Sequence, residues 1–533
     1  MSRININIMD LPDEMILAIW NKLSKIDVLY SFVGVHQRFN RLVFDKTYIQ
    51  SIELINSNSK HKHLMTVPIL DRFCSYILPQ VHKFVESLTL ESISMERVLS
   101  VGTYHHLRKL TIVKIDQEFA LRHFTDESPF TEIFKEQLTH LKVSIIDPER
   151  SSSSLIDLTT NVFARIFSLF KNLTELDFGS TGRRRYCPRL KIIDPSSMIC
   201  FSSNIVHLRI SVDTFDECLC LLDDRLNYLR RFVVRVCNIY PSKLITENRI
   251  LTNLKNFSLS SYNETSEYDS QVVVLLRRMI FLDELTLRLN VCDRLTFIDA
   301  TQLNNEVLIH MPRLQTLTFN IVTFIKTFNG TSRKTINNIQ HTFYNGKSHK
   351  LAYYVDFYSR GKAQSHIYSI PYVLNDLLNI SRNFPGGLFS GVRDISLMDI
   401  EFPFEHDFFL KISRCFPLLT NLFVLNIVPQ QHKRTSQLNT TDQISSIAEF
   451  PHLTNLRISS RCIDYMEQFL IDTNTRLPHL VELNSHYEHL VIVTENFTRD
   501  ATRRNCVNVE HLIFNRLLVH SKDLYLYFPN FLM

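Results

Sequence analysis

The side chains best suited to chemistry are thinly spread along this sequence. His61-Lys62-His63 and His105-His106 are close histidine groupings, but no further His, Cys or Asp stands at matched ligand spacing, so they read as solvated histidines. The ten cysteines contain no C-x-x-C, and Cys218 and Cys220 lie inside an apolar run, which removes zinc-ribbon, RING and thioredoxin-type chemistry. Gly386-Gly387-Leu388-Phe389-Ser390-Gly391 has the wrong glycine spacing for a dinucleotide loop, and a nucleophile elbow, a Walker loop and H-E-x-x-H are missing. Arg183-Arg184-Arg185 is an isolated basic triplet with no nucleic-acid motif beside it. No catalytic, metal-binding or cofactor-binding residue can be nominated. The chemistry that remains is recognition of another molecule.

Elements able to present such a surface occupy most of the chain. With 533 residues, 45% hydrophobic and 21% charged, and a net charge of +5, the composition is that of an ordinary globular protein and excludes wholesale disorder or a nucleic-acid-coating polycation. Ten glycines and 17 prolines leave little for phosphate loops or linkers. No stretch reads as a secretory signal or a membrane span, so reduced thiols in the cytosol or nucleus are expected.

The first 50 residues read as three short helices. Leu11-Pro12-Asp13-Glu14 is a helix start with proline in the first turn, followed by Ile16, Ile19, Trp20 and Leu23 on one apolar face. Ser24 and Asp27 form a capping-box pattern ahead of Val28, Leu29, Phe32 and Val33. Gly34 interrupts, and His36 to Phe44 predicts the third helix. So small a bundle cannot hide all these apolar side chains, so part of its surface calls for a partner.

Leu11-Pro12-Asp13-Glu14-Met15-Ile16, then Ile19, Leu23, Asp27-Val28-Leu29 and Val33-Gly34-Val35-His36-Gln37-Arg38-Phe39, resemble the F-box pattern in order and spacing. The segment departs from it where many members carry Val-Cys-x-x-Trp, since histidine and phenylalanine stand at positions 36 and 39. The resemblance covers about residues 9 to 50 and implies docking on the Skp-type adaptor of an SCF cullin-RING ubiquitin ligase. Leu11, Pro12, Ile16, Trp20, Leu23, Leu29 and Phe32 are the adaptor contacts it implies. The alternative is a helical cap on the neighbouring domain.

From about residue 84 an apolar-x-x-apolar-x-apolar pattern recurs, as in Leu107-Arg108-Lys109-Leu110-Thr111-Ile112 and Leu453-Thr454-Asn455-Leu456-Arg457-Ile458. Its middle anchors are Leu88, Leu110, Leu141, Leu176, Leu208, Phe232, Phe257, Leu285, Leu317, Ile395, Leu422, Leu456, Leu483 and Leu512. They stand roughly 22 to 35 residues apart, with one break of roughly 78. Such periods are those of leucine-rich repeats, here resembling the divergent arrays of F-box proteins. Helical runs are predicted at Asn161 to Phe170, Thr214 to Leu226, Gln271 to Ile280, Phe404 to Phe416 and Ile463 to Leu470. Prolines in Met311-Pro312, Phe416-Pro417, Phe450-Pro451 and Leu477-Pro478 end the preceding helices. Asp147 to Ser154, Ser180 to Pro188 and Gln430 to Asp442 read as polar loops.

In the long break, Asn345-Gly346 and Arg360-Gly361 are turn signals around an alternating run from Leu351 to Tyr358, and His366 to Ile370 is a third strand. One alternating set there must be buried. The expected fold is therefore α/β: an F-box at 1–50, a linker or cap at 51–83, leucine-rich arms at 84–321 and 371–533, and an inserted β-meander at 322–370. The alternative is an α/β domain with coincidental Leu-rich strands.

Parallel strands on a concave face would send the x positions outward. These include Lys109, Lys142, Arg209, Arg231, Arg235, Arg288 and Arg457, against Glu175, Asp177, Glu284 and Asp394. An acidic or phosphorylated peptide is one conceivable ligand and a merely solvated sheet the other reading. Tyr353, Tyr354 and Tyr358 are candidate apolar anchors. The expected function is a non-enzymatic substrate receptor of an SCF ligase with an unidentified protein target, no nucleic acid and no membrane. The alternatives are a leucine-rich scaffold or inhibitor that recruits the adaptor without target turnover, and an enzyme with a site assembled from distant residues.

Overall fold

A computed structural model describes residues 8–55, 67–125, 127–145, 152–179, 189–191, 204–222, 226–242, 249–326, 350–431, 447–514 and 522–531. His61 to His63, Arg183 to Arg185, the Asn345-Gly346 turn and most of the three polar loops lie outside these residues. The chain divides into two compact units, Met1–Asn263 with Asp269–Leu285 and Met311–Leu314, and Glu264–Tyr268 with Thr286–His310 and Gln315–Met533.

The first unit begins with helices α1 (Asp13–Trp20), α2 (Lys25–Phe32) and α3 (Gln37–Val43). Pro12 is the residue before α1 rather than its first turn, while Asp13 and Glu14 supply negative charge at the positive end of the helix. Ser24 accepts from the Asp27 N–H at 3.1 Å and donates to the Asp27 carboxylate at 2.6 Å, so the pair caps α2. Gly34 takes φ +84°, a left-handed turn, and a Cβ there would meet the Tyr76 hydroxyl at 3.1 Å. Buried Trp20 is ringed by Phe32, Phe39 and Tyr48, at 4.9, 5.7 and 6.2 Å. The Lys25 ammonium donates to the carbonyls of Tyr48 and Ser51, both at 3.0 Å, which ties α2 to the first strand.

Eight strands follow: β1 (Ser51–Leu54), β2 (Ser87–Glu91), β3 (Lys109–Ile115), β4 (His140–Ile145), β5 (Glu175–Asp177), β6 (His207–Thr214), β7 (Arg231–Asn238) and β8 (Asn256–Thr265). Each pairs parallel with the next. The register places Ile52, Leu88, Leu110, Leu141, Leu176, Leu208, Phe232 and Phe257 side by side, and all are buried. Parallel neighbours need a long return connection. Helices supply it at Ser92–Leu99, Ser152–Leu169 and Phe215–Leu222. The helix expected from Asn161 starts nine residues earlier, inside a stretch expected to be loop.

The second unit contains β9 (Glu284–Val291), β10 (Thr316–Ile325), β11 (Lys350–Phe357) and β12 (Ala363–Ile370), then a parallel sheet. That sheet runs β13 (Asp376–Ile380), β14 (Asp394–Asp399), β15 (Asn421–Asn426), β17 (Asn455–Ser459), β19 (Glu482–Ser485), β20 (His511–Phe514). Two-residue strands β16 (Ala448–Glu449) and β18 (Thr475–Arg476) form a separate pair. Leu377, Ile395, Leu422, Leu456, Leu483 and Leu512 make a second ladder. The proline preambles are tight turns, because the N–H of Leu419, Leu453 and Leu480 bonds back to Phe416, Phe450 and Leu477 at 3.2, 3.3 and 3.5 Å.

In the insertion, β11 and β12 pair antiparallel, and β12 also pairs antiparallel with β10, so β12 lies between them; the strand expected before Asn345-Gly346 lies outside the described residues.

Candidate partner-binding surfaces

The residues assigned to the adaptor divide into two groups. Ile16, Trp20 and Leu29 are buried inside the helical bundle and cannot meet a partner without unfolding it. Pro12 and Leu23 are exposed, and Leu11 and Phe32 half-buried. Met15, 52% exposed, Ile19, 43% exposed, and exposed Val35 stand in the motif but outside the expected contact set, and Ile19 does not share the burial of Ile16 and Trp20, with which helical spacing groups it on one apolar face. Met15 and Ile19 stand four residues apart on α1, beside the buried pair Ile16 and Trp20, and exposed Leu23 lies in the turn that follows the helix. That spacing was the available signal: α1 carries two adjacent apolar rows, and a small bundle can bury only one.

Arg38 fixes the entry to α1. It donates to the Met9 and Leu11 carbonyls, each at 2.6 Å, and to the Asp13 carboxylate at 2.7 Å. These bonds hold the Asp13 carboxyl below its ordinary range, assisted by the Arg41 charge.

On the strands of the first unit the buried ladder alternates with a charged face. Lys109, His140, Glu175, His207 and Arg231 form one rung, and Thr111, Lys142, Asp177 and Arg209 form the next. His140 and His207 lie 3.3 and 3.8 Å from the same Glu175 carboxylate oxygen. Burial lowers the His140 pKa, opposed by Glu175. Burial also raises the Asp177 carboxyl against the pull of Arg209 and Lys142, which stand 3.9 and 3.8 Å away. Contacts this long and this wet hold the side chains only weakly, so the cations stay available to an incoming charge. Arg231 and Arg209 are exposed on this face, and Arg235 stands two residues further along β7, over the Tyr262 ring at 5.1 Å.

The remaining predicted contacts belong to the second unit. Arg288 is held by the Asp376 carboxylate at 2.5 Å, and Arg457 lies over the Phe423 ring at 5.1 Å. Tyr354 is buried, with its hydroxyl 2.7 Å from His366 Nδ1, so it is an interior residue and not a surface anchor. Tyr353 and Tyr358 are half-buried, and Tyr358 stacks on Phe402 at 6.3 Å.

No protein-family model matches the chain, and no curated protein matches it. Among the described residues no group of three or more His, Cys, Asp or Glu side chains could hold a metal ion. No described helix is long and apolar enough to cross a membrane.

Proposed function

We propose that this chain is the substrate-recognition subunit of an SCF-type cullin-RING ubiquitin ligase. In this reading residues 1–50 are an F-box that docks on the Skp-type adaptor, and the strand–helix repeats are an irregular leucine-rich array that holds a target protein. One combination carries the reading: the ordered motif from Leu11 to Phe39 stands in the same chain as repeat anchors that lie side by side in parallel register. Support also comes from Met15, Ile19 and Leu23, three exposed apolar side chains on a bundle too small to bury them.

The chain supplies no reacting group in this scheme. Its contribution is effective concentration, keeping lysines of the target near a charged conjugating enzyme. The exposed cations Lys109, Lys142, Arg209 and Arg231 suit a target segment of opposite charge.

The test is affinity capture from proteasome-inhibited cells with the intact chain and with the double variant Ile19→Asp, Leu23→Asp. Adaptor and cullin are expected with the intact chain alone, the target with both, and ubiquitylation of the target with the intact chain alone. A target captured by both and modified by neither would replace the ligase reading with the scaffold or inhibitor reading.

A further inference from the structure

A cleft opens at the far end of the charged face, where β6, β7 and β8 end. Its lining comes from Arg189, Ser211, Arg235, Cys237, Tyr262 and Asn263, and its volume is about 50 Å³. That is far below the roughly 300 Å³ of a small-molecule pocket, and it suits one compact polar group.

The lining is arranged by the backbone. Leu190 forms a parallel bridge with Val212, its N–H bonding to the Ser211 carbonyl at 2.9 Å and its carbonyl accepting from Asp213 N–H at 3.0 Å. This bridge fixes Arg189 beside β6. The Arg189 guanidinium donates to the Asp213 carboxylate at 2.9 Å, and the same Nη1 lies 2.9 Å from the Cys237 sulfur. The Asn263 amide nitrogen lies 3.6 Å from that sulfur and donates to the Asn238 side chain at 2.8 Å. Arg235 lies against the Tyr262 ring. Two guanidinium groups and an amide therefore converge on one cleft, with Asp213 as the opposing carboxylate that orients Arg189. A thiol is a weak acceptor, and an oxyanion is a much stronger partner for the same N–H. An arginine lying on an aromatic face still presents its edge to a two-oxygen ligand.

We propose that this cleft is an oxyanion subsite that receives one carboxylate or phosphate monoester of an acidic peptide segment. The inference deepens the reading of the charged face as the target-receiving surface and rests on it for the nature of the ligand.

Cys237 provides the reporter. Its alkylation by N-ethylmaleimide in the intact chain, followed by mass spectrometry, is timed with increasing inorganic phosphate at constant ionic strength. Saturable protection is expected, about tenfold at ten times the dissociation constant, with no change at Cys292 or Cys462. Arg235→Gln should abolish the protection, whereas Arg231→Gln, on the same face but outside the cleft, should leave it. Calorimetric titration of phosphate into the intact chain and Arg235→Gln is the parallel measurement that does not depend on thiol reactivity. A phosphoserine peptide and a glutamate peptide then distinguish the two ligand groups by their power to protect. Protection no better than chloride gives, or equal protection in Arg235→Gln, overturns the subsite. Protection by phosphate that neither peptide reproduces overturns the peptide assignment. If Arg231→Glu weakens target capture while phosphate fails to protect Cys237, the subsite falls and the charged-face reading stands.

Discussion

The Trp20 indole packs 4.9 Å from the Phe32 ring and is wholly buried, while Ile19, next to it in the chain, faces solvent. The two neighbours therefore have separable roles. Trp20→Ala should destabilise the N-terminal helices by about 3 to 5 kcal/mol, as for any large aromatic removed from a core. Ile19→Asp should stay within about 0.5 kcal/mol. Hydrogen exchange of the amides in 13–43 separates them: rapid exchange in the first variant, native protection in the second.

Arg38 links the segment before α1 to α3 through the Met9 and Leu11 carbonyls and the Asp13 carboxylate. Arg38→Gln keeps hydrogen-bonding capacity but neither the charge nor the three-way fork. Exchange should accelerate at the amides of 11–16 and remain native in α2. The Asp13 carboxyl should also return toward its ordinary range, since Arg38 is the main cause of its depression. A carboxyl titration by NMR that finds no change would show that the fork does not act as described.

Two buried groups of the second unit have opposite effects in acid. Burial lowers His366 to about 3, so the folded state stays neutral while the unfolded state takes a proton near 6.5, and stability falls as pH drops below 6.5. Burial raises Asp356 to about 6, against an ordinary 3.8, so the folded state takes its proton first and stability rises as pH drops from 6 toward 4. In the native chain the two trends offset one another between pH 6 and 4. Asp356→Asn removes the compensation and should lose stability relative to the native chain by about 1.4 kcal/mol per pH unit in that window. Denaturation midpoints at pH 7, 6, 5 and 4 check it, and parallel pH profiles for the two chains would contradict it.

The repeats were legible where both anchors and the turn before them are regular. Leu110, Leu141, Leu176 and Leu208 stand in one ladder because each follows a two-residue spacer and begins an alternating strand. The first strand was missed although Ile49-Gln50-Ser51-Ile52-Glu53-Leu54 carries the same spacing with isoleucine at two anchors. Leu377 was missed for a different reason. The register of β13 shifts between Leu377 and Ile380, and Asn379 takes φ +56°, so the alternation is broken within the strand itself. At the candidate docking site, helical period showed which residues are apolar but not which of two adjacent rows is buried. That depends on Phe39 and Tyr48, which fill the space beside Trp20 from elsewhere in the chain. Likewise Tyr354 and Tyr353 are indistinguishable by alternation alone, and the bond to His366 identifies the inward member.

The charged face carries a kinetic prediction. Arg209→Glu and Arg231→Glu replace exposed cations and should slow association with an acidic target at low salt, by about tenfold or more each, with the effect shrinking at high salt. Arg288→Gln should instead act on stability, because Arg288 is bonded to buried Asp376. Surface-based association kinetics and a thermal melt of each variant distinguish the two outcomes.

Titration of a purified Skp-type adaptor into the intact chain and into the variants Ile19→Asp, Leu23→Asp and Leu29→Asp tests the proposed docking of residues 1–50. Saturable one-to-one binding by the intact chain is expected. The first two variants should each lose about 2 kcal/mol of binding, some thirtyfold, with native melts. Leu29→Asp should lose binding together with the melt of the helices, because Leu29 is buried. Adaptor binding that is absent from the intact chain, or undiminished in both Ile19→Asp and Leu23→Asp, would rule out adaptor docking through the exposed apolar residues of the first helices.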